Sequence, residues 1–350
     1  MFHSYYHALI RELKFYFVYN KNFDIKTIYL GGGNPSLFPI DLLNNIFDFI
    51  YQHFSVAENS EISIELNPLE IDDKGLKEIF ILPINRVSMG IQSFSEKNQK
   101  LINRVLSAEK FFSIYNKVCQ KVKNVNLDFI FDFPNEDKED LLKNMNMISL
   151  ILPSHISYYG LSIEEGTDFF KVYNNKEDIF DENKYEEKYF YIHQELEKLG
   201  YIHYEISNFS LPEYACKHNL AYWNWEDYIG IGASASSYFS MKRYTNVSQI
   251  KSYINRMNNG NLFSIAEFRK DSDILLEKIF LALRQKKGIN WKDSFFSEKK
   301  KLILEYFHEI PNDLFLLDDN GIRLSVKGFL ISNSIAVDLS NYLFTKRKII

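Results

Sequence analysis

The sequence predicts an α/β fold, a partial parallel (β/α) barrel followed by a small helical, winged domain. Three observations predict it. Short apolar runs alternate five times with stretches of helical period. Polar residues and glycines gather where the runs end, which is where parallel α/β folds bind their ligands. After Tyr201 the alternation stops, and a helix-rich segment ending in a hairpin takes over.

The strand candidates are Thr27–Leu30, Glu61–Glu65, Arg86–Ile91, Val125–Phe131 and His155–Leu161. Amphipathic spacing between them marks helices, as in Leu42, Leu43, Ile46, Phe47 and Ile50, and again in Leu141, Leu142, Met145 and Ile148. Strand followed by helix, repeated, specifies a parallel sheet covered by helices. Tyr204–Phe209 reads as one further strand, and Gly230–Ser237 is a small-residue stretch that allows close backbone approach. From about Phe263 helices follow, with apolar Ile274, Leu275, Ile279, Phe280 and Leu283. Leu314–Leu317, a turn at Asp318–Gly321 and Ile322–Leu324 then form the hairpin. Two domains are expected, 1–240 and 241–350. Lys299–Lys301 reads as a solvated face.

Composition narrows the function. With 41 Lys+Arg against 46 Asp+Glu the net charge is −5, which argues against a nucleic-acid binder. Thirty Phe and 23 Tyr point to aromatic core filling, with Tyr also able to line a pocket for a flat ligand. Two cysteines, Cys119 and Cys216, make no disulfide framework, and no apolar run is long enough for a transmembrane segment. The expected location is the cytoplasm.

Tyr29-Leu30-Gly31-Gly32-Gly33-Asn34-Pro35-Ser36 is the sharpest local signal. Three glycines after a strand free backbone groups to meet a small molecule, and the Lys-Ser/Thr of a P-loop is absent. Glu65, Gln92, Arg104 and Asp128 stand at or just beyond successive strand ends. Two carboxylates, an amide and a guanidinium around one mouth suit a zwitterionic ligand carrying hydroxyls.

The segments YLGGGNPSL, ISIELNP, INRVSMGIQSF, NLDFIFDFP, HISYYGLS, YEISNF, CKHNLAYW and YIGIGASASSY follow one another in a familiar order. Together they resemble the radical S-adenosylmethionine proteins related to oxygen-independent coproporphyrinogen III oxidase, and within that group the HemW-type heme chaperones. The likeness runs from about Ala8 to Phe344. It implies S-adenosylmethionine contacts at Gly32, Gly33, Asn34, Glu65, Gln92, Arg104 and Asp128. Asn34 stands where the family usually has Thr, and Asp132-Phe133-Pro134 replaces the usual Gly-Leu-Pro. It also implies a heme site at His218, Tyr222 and Trp223, with His218 as iron ligand. Imidazole can ligate heme iron and the two aromatics offer flat apolar faces, although a locally hydrogen-bonded histidine beside packed rings explains the same pattern. Cys216 reads as a small buried residue.

The likeness further implies a 4Fe–4S cluster held by a CxxxCxxC loop after a first strand. This chain has neither the loop nor the strand, so no catalytic residue is assigned. Either the chain starts at an internal methionine of a longer, cluster-bearing protein, or the cluster has been lost. The first is expected, because a missing strand exposes a barrel edge. The function expected is binding of heme and its transfer to recipient hemoproteins. The alternative is radical oxidation of coproporphyrinogen III in porphyrin biosynthesis. A homodimer and a transient membrane contact are compatible with the first reading.

Overall fold

In the computed structural model, residues 1–19, 23–173, 181–260, 265–267 and 270–347 are described. Five parallel strands open the fold: β1 (Asp24–Leu30), β2 (Ser55–Leu66), β3 (Arg86–Gln92), β4 (Asn124–Phe131) and β5 (His155–Gly160). Two short strands, β6 (Ile202–Glu205) and β7 (Asn208–Ser210), return antiparallel and complete a seven-stranded sheet in the order β1-β2-β3-β4-β5-β7-β6. The expected single strand Tyr204–Phe209 is therefore two, because Ile206 and Ser207 turn between them.

The outer face of the sheet is apolar for a plain reason. Ile62, Ile64, Val87, Met89, Val125, Leu127, Phe129 and Ile156 alternate with polar residues, and each is at most 4% exposed. The helices cover this face with their own apolar stripes, such as Phe111, Ile114 and Val118 of the helix Ala108–Lys121. Phe fills the places where two elements meet: Phe111, Phe129, Phe131, Phe133 and Phe209 are among the largest fully buried side chains. Each such ring contributes about 1.5–3 kcal/mol by leaving water. Polar caps start the helices. The Ser107 hydroxyl accepts from Lys110 N, and Asp137 and Asp140 form a reciprocal capping box at Lys138.

Two smaller sheets follow. β8 (Ser236–Phe239), β9 (Lys242–Thr245) and β10 (Ile265–Glu267) are antiparallel in the order β10-β9-β8. The β8–β9 hairpin spans residue 240, where the sequence division was drawn. The helix after it, Ile250–Asn258, returns to pack on the first helix, Phe2–Tyr19. That joint is pinned by Glu12, 1% exposed, which accepts from Tyr253 Oη at 2.6 Å, Gly232 N at 2.9 Å and Asn246 Nδ2 at 2.7 Å. β11 (Ile289–Asn290), β12 (Phe315–Asp318) and β13 (Gly321–Leu324) then form the winged hairpin with an added strand, packed among the helices Asp271–Leu283, Lys300–His308 and Ser332–Arg347. Phe263, where the helix-rich region was expected to begin, lies outside the described residues. Of Lys299–Lys301, Lys299 is not simply solvated: its ammonium sits 3.9 Å from the Phe295 ring centroid and donates to Phe295 O.

Candidate functional site

The inner face of the half-barrel is polar rung by rung. Register sets Thr27 beside Glu61, Ser63 beside Arg86, Ser88 beside Asn126, and Asp128 beside Ser157. Parallel strands buried on both sides usually read as continuous apolar runs. A polar inner face costs desolvation unless its groups are paired or meet a ligand.

At the carboxyl edge of this face the expected residues come together. Glu65 Oε1 accepts from Tyr29 Oη at 2.7 Å and Oε2 from Gly32 N at 3.2 Å. Burial pushes the Glu65 carboxyl up, the Tyr29 and glycine hydrogen bonds pull it down, and the Asp128 charge adds to the rise. Asp128 accepts from Ser88 Oγ at 2.9 Å and Asn126 Nδ2 at 2.7 Å, and burial raises its carboxyl as well. Arg104 Nη2 donates to Asn67 Oδ1 at 2.9 Å and Gly90 O at 3.4 Å. The amide of Gln92 flanks the same Gly90, and Gln92 has φ 68°, which turns the chain sharply out of β3.

The glycine loop is closed on one side and open on the other. A Cβ on Gly31 would lie 2.6 Å from Glu65 Oε1, whereas Cβ atoms on Gly32 and Gly33 would meet nothing within 4 Å. Asn34 accepts from Ser36 N at 3.2 Å and donates to Glu70. Asp132, where a glycine was the usual residue, keeps a glycine-like φ of 67°. Its N–H donates to Glu136 Oε2 at 2.6 Å and its carboxylate pairs with Lys188 at 2.7 Å, so the turn survives the substitution.

His218 sits at the other end of the same face. The helix Lys217–Trp223 packs against β1, and its first N–H groups cradle Glu61: His218 N at 3.0 Å and Lys217 N at 3.1 Å. The His218 ring is fully engaged. Nδ1 is 2.8 Å from Thr27 Oγ1, Nε2 is 2.7 Å from Tyr222 Oη, and the ring stacks on Tyr29 at 4.9 Å and 14°. Burial holds its pKa down at about 4, so the ring is neutral at pH 7. Trp223 supplies its carbonyl to Gln285 Nε2 at 2.8 Å. Cys216 is fully buried, its thiol 3.4 Å from Glu61 Oε1 and pushed up to about 12 by burial, which fits a packing role.

The sequence reading named Tyr29 only as the start of the glycine segment and did not single out Glu61, Arg86 or His155. Arg86, 2% exposed, faces Glu61 at only 4.0 Å and leaves its Nε without a hydrogen-bond partner among the described residues. His155 bridges Asn126 Oδ1 at 2.6 Å and Tyr204 Oη at 2.7 Å. The signal for Glu61, Arg86 and His155 was the polar–apolar alternation that opens EISIEL, RVSMGIQ and HISYYG.

The residues at the mouth fit S-adenosylmethionine. The carboxylates of Glu65 and Asp128, the open side of Gly32 and Gly33, and the Arg104 guanidinium and Gln92 amide beside Gly90 answer its ammonium, hydroxyl and carboxylate groups. They do not fit a 4Fe–4S cluster: Cys119 lies on the helix Ala108–Lys121 and Cys216 is buried at the start of another. No group of three metal-ligating side chains occurs among the described residues.

The first four parallel strands and the glycine loop lie within residues 4–148, which match the Radical SAM superfamily. Among solved structures, coproporphyrinogen III oxidase (HemN) from Escherichia coli, described as a radical SAM enzyme, superposes with a TM-score of 0.81. That match covers 97% of this chain and 83% of that one at 20% identity, a likeness of fold. The heme chaperone HemW of Lactococcus lactis subsp. lactis (strain IL1403) is 30% identical over 325 residues, 89% of this chain and 83% of that protein. The heme chaperone HemW of Bacillus subtilis (strain 168) is 28% identical over 322 residues, 89% and 84% respectively. The chain belongs to the HemW heme chaperone family. No helix among the described residues is long and apolar enough to cross a membrane.

Proposed function

We propose that this chain is a heme chaperone: it binds heme beside the half-barrel mouth and passes it to recipient hemoproteins in the cytoplasm. The observation that carries the reading is the Tyr29–His218 stack, which joins the candidate heme helix to the Glu65 end of the cleft. The HemW relatives support the same cargo. Porphyrinogen oxidation has the HemN likeness in fold alone to support it.

In this reading Gly32, Gly33, Glu65, Gln92, Arg104 and Asp128 hold S-adenosylmethionine, which supplies a sulfonium and an adenosyl group when bound. Asn34 supports the loop through Ser36 and Glu70. Glu65 orders the glycine N–H groups, Arg104 forks onto a carboxylate, and Asp128 accepts from donors above the sheet. His218 presents a neutral imidazole, and its Nε2 becomes an iron ligand once the Tyr222 hydroxyl yields its place. Tyr222 and Trp223 border the macrocycle. A ligand bond made by displacing one hydrogen bond is reversible, which is what delivery requires.

Transfer is the direct test. Heme-loaded chain is mixed with a heme-free hemoprotein, the two are separated, and the recipient's absorbance is recorded. Heme should appear on the recipient at a rate that depends on the heme-loaded chain and exceeds transfer from free hemin. A rate equal to that of free hemin would remove the chaperone reading.

A further inference from the structure

One cation near the Tyr222–Trp223 helix keeps a buried nitrogen without an acceptor among the described residues. Arg284 follows the helix Asp271–Leu283 as its cap. Its guanidinium carbon lies 5.0 Å from the Trp223 ring centroid and 5.2 Å from that of Phe280. The Nε atom is buried and has no hydrogen-bond partner among the described residues. Stacking uses only the face of a guanidinium and leaves its in-plane N–H donors available for an oxygen acid.

The neighbourhood does not satisfy those donors. Glu205 is fully buried and close enough for the Arg284 charge to pull its carboxyl down against burial, yet its Oε1 is taken by Ser207 N at 3.2 Å and by Asn208. Glu205 Oε2, Gln285 Oε1 and Trp223 Nε1 are likewise buried without partners among the described residues. Glu205 and Gln285 are 0% and 2% exposed. Of these atoms Arg284 Nε and Trp223 Nε1 are donors, and two buried donors without acceptors are costly for a purely structural corner. Those two donors suit a carboxylate oxygen of a ligand whose flat body lies against the neighbouring aromatics.

We propose that Arg284 anchors a carboxylate of the cargo, receiving a propionate of a tetrapyrrole whose ring lies along the Tyr222–Trp223 helix. The inference rests on the heme reading and adds a demand to it: the site selects tetrapyrroles with free propionates.

The test is an absorbance titration of the full chain with hemin and with hemin dimethyl ester, in which both propionates are capped. The wild-type chain should bind hemin about tenfold or more tightly than the ester. Arg284→Gln should bring the two affinities together by weakening hemin and leaving the ester unchanged, and Arg284→Lys should keep part of the preference. If the wild-type chain binds both equally, or Arg284→Gln retains the preference, the anchor is wrong and the heme reading stands. If the wild-type chain binds neither, both fall. Should Arg284→Gln fail to fold, as judged by circular dichroism, the wild-type comparison and Arg284→Lys still decide.

Discussion

The rings of Tyr29 and His218 lie nearly parallel, 14° apart with centroids at 4.9 Å, and the Tyr29 hydroxyl donates to Glu65 at 2.7 Å. A single aromatic on β1 thus touches both the candidate heme ligand and the carboxylate that orders the glycine loop. Tyr29→Phe keeps the stack and removes the donor. It should weaken S-adenosylmethionine binding several-fold and cost about 1 kcal/mol of stability, while Tyr29→Ala should also loosen heme. Calorimetry with each ligand checks both; equal effects of the two substitutions on heme would break the connection.

Acid should act through His218. Its folded pKa of about 4 lies below the ordinary value near 6.5. The neutral ring is therefore favoured by folding, and its stabilising contribution is complete above pH 6.5 and lost as pH falls toward 4. His218→Gln should unfold less steeply with acid over that window. Ring NMR should show the native imidazole still neutral at pH 5.5, and titration near 6.5 would contradict the buried, doubly bonded ring.

The glycine loop separates packing from access. Gly31→Ala places a methyl 2.6 Å from Glu65 Oε1 and should cost about 1–3 kcal/mol. Gly33→Ala meets nothing within 4 Å and should change stability by less than about 0.5 kcal/mol, yet weaken S-adenosylmethionine by filling its approach. Thermal melts beside calorimetric titrations distinguish the two; a stable Gly31→Ala would show that the loop is looser than described.

Glu12 tests the joint between the first helix and the Gly230–Ser237 stretch. Glu12→Ala leaves Tyr253 Oη, Asn246 Nδ2 and Gly232 N without their acceptor and should cost about 3 kcal/mol. Tyr253→Phe should cost about 1 kcal/mol. Denaturant midpoints give both values, and a neutral Glu12→Ala would mean that water replaces the carboxylate without loss.

The parallel strands were legible because their apolar runs are short, bounded and regularly spaced by amphipathic helices. The β6–β7 return was read as one strand, since YEISNF carries no glycine or proline to mark a two-residue turn. The β8–β10 sheet left no apolar run: its hairpin reads SSYF and KRYT. At the candidate site, Glu65, Gln92, Arg104 and Asp128 were picked from the sequence because they stand at or just beyond strand ends, where ligands bind. Glu61, Arg86 and His155 escaped notice because they lie away from the carboxyl ends of their strands, and only the folded sheet brings Arg86 to Glu61 and His155 to Asn126. Arg284 could not be found from sequence: it meets Trp223 from 61 residues away.

Hemin titration followed by the Soret band, comparing the wild-type chain with His218→Ala, probes the heme site most directly. The account predicts a saturable band in the wild type and a band about tenfold weaker in affinity, and shifted, in the variant. Identical spectra and affinities would take His218 out of the site, and no saturable band in either would mean that this chain does not carry heme.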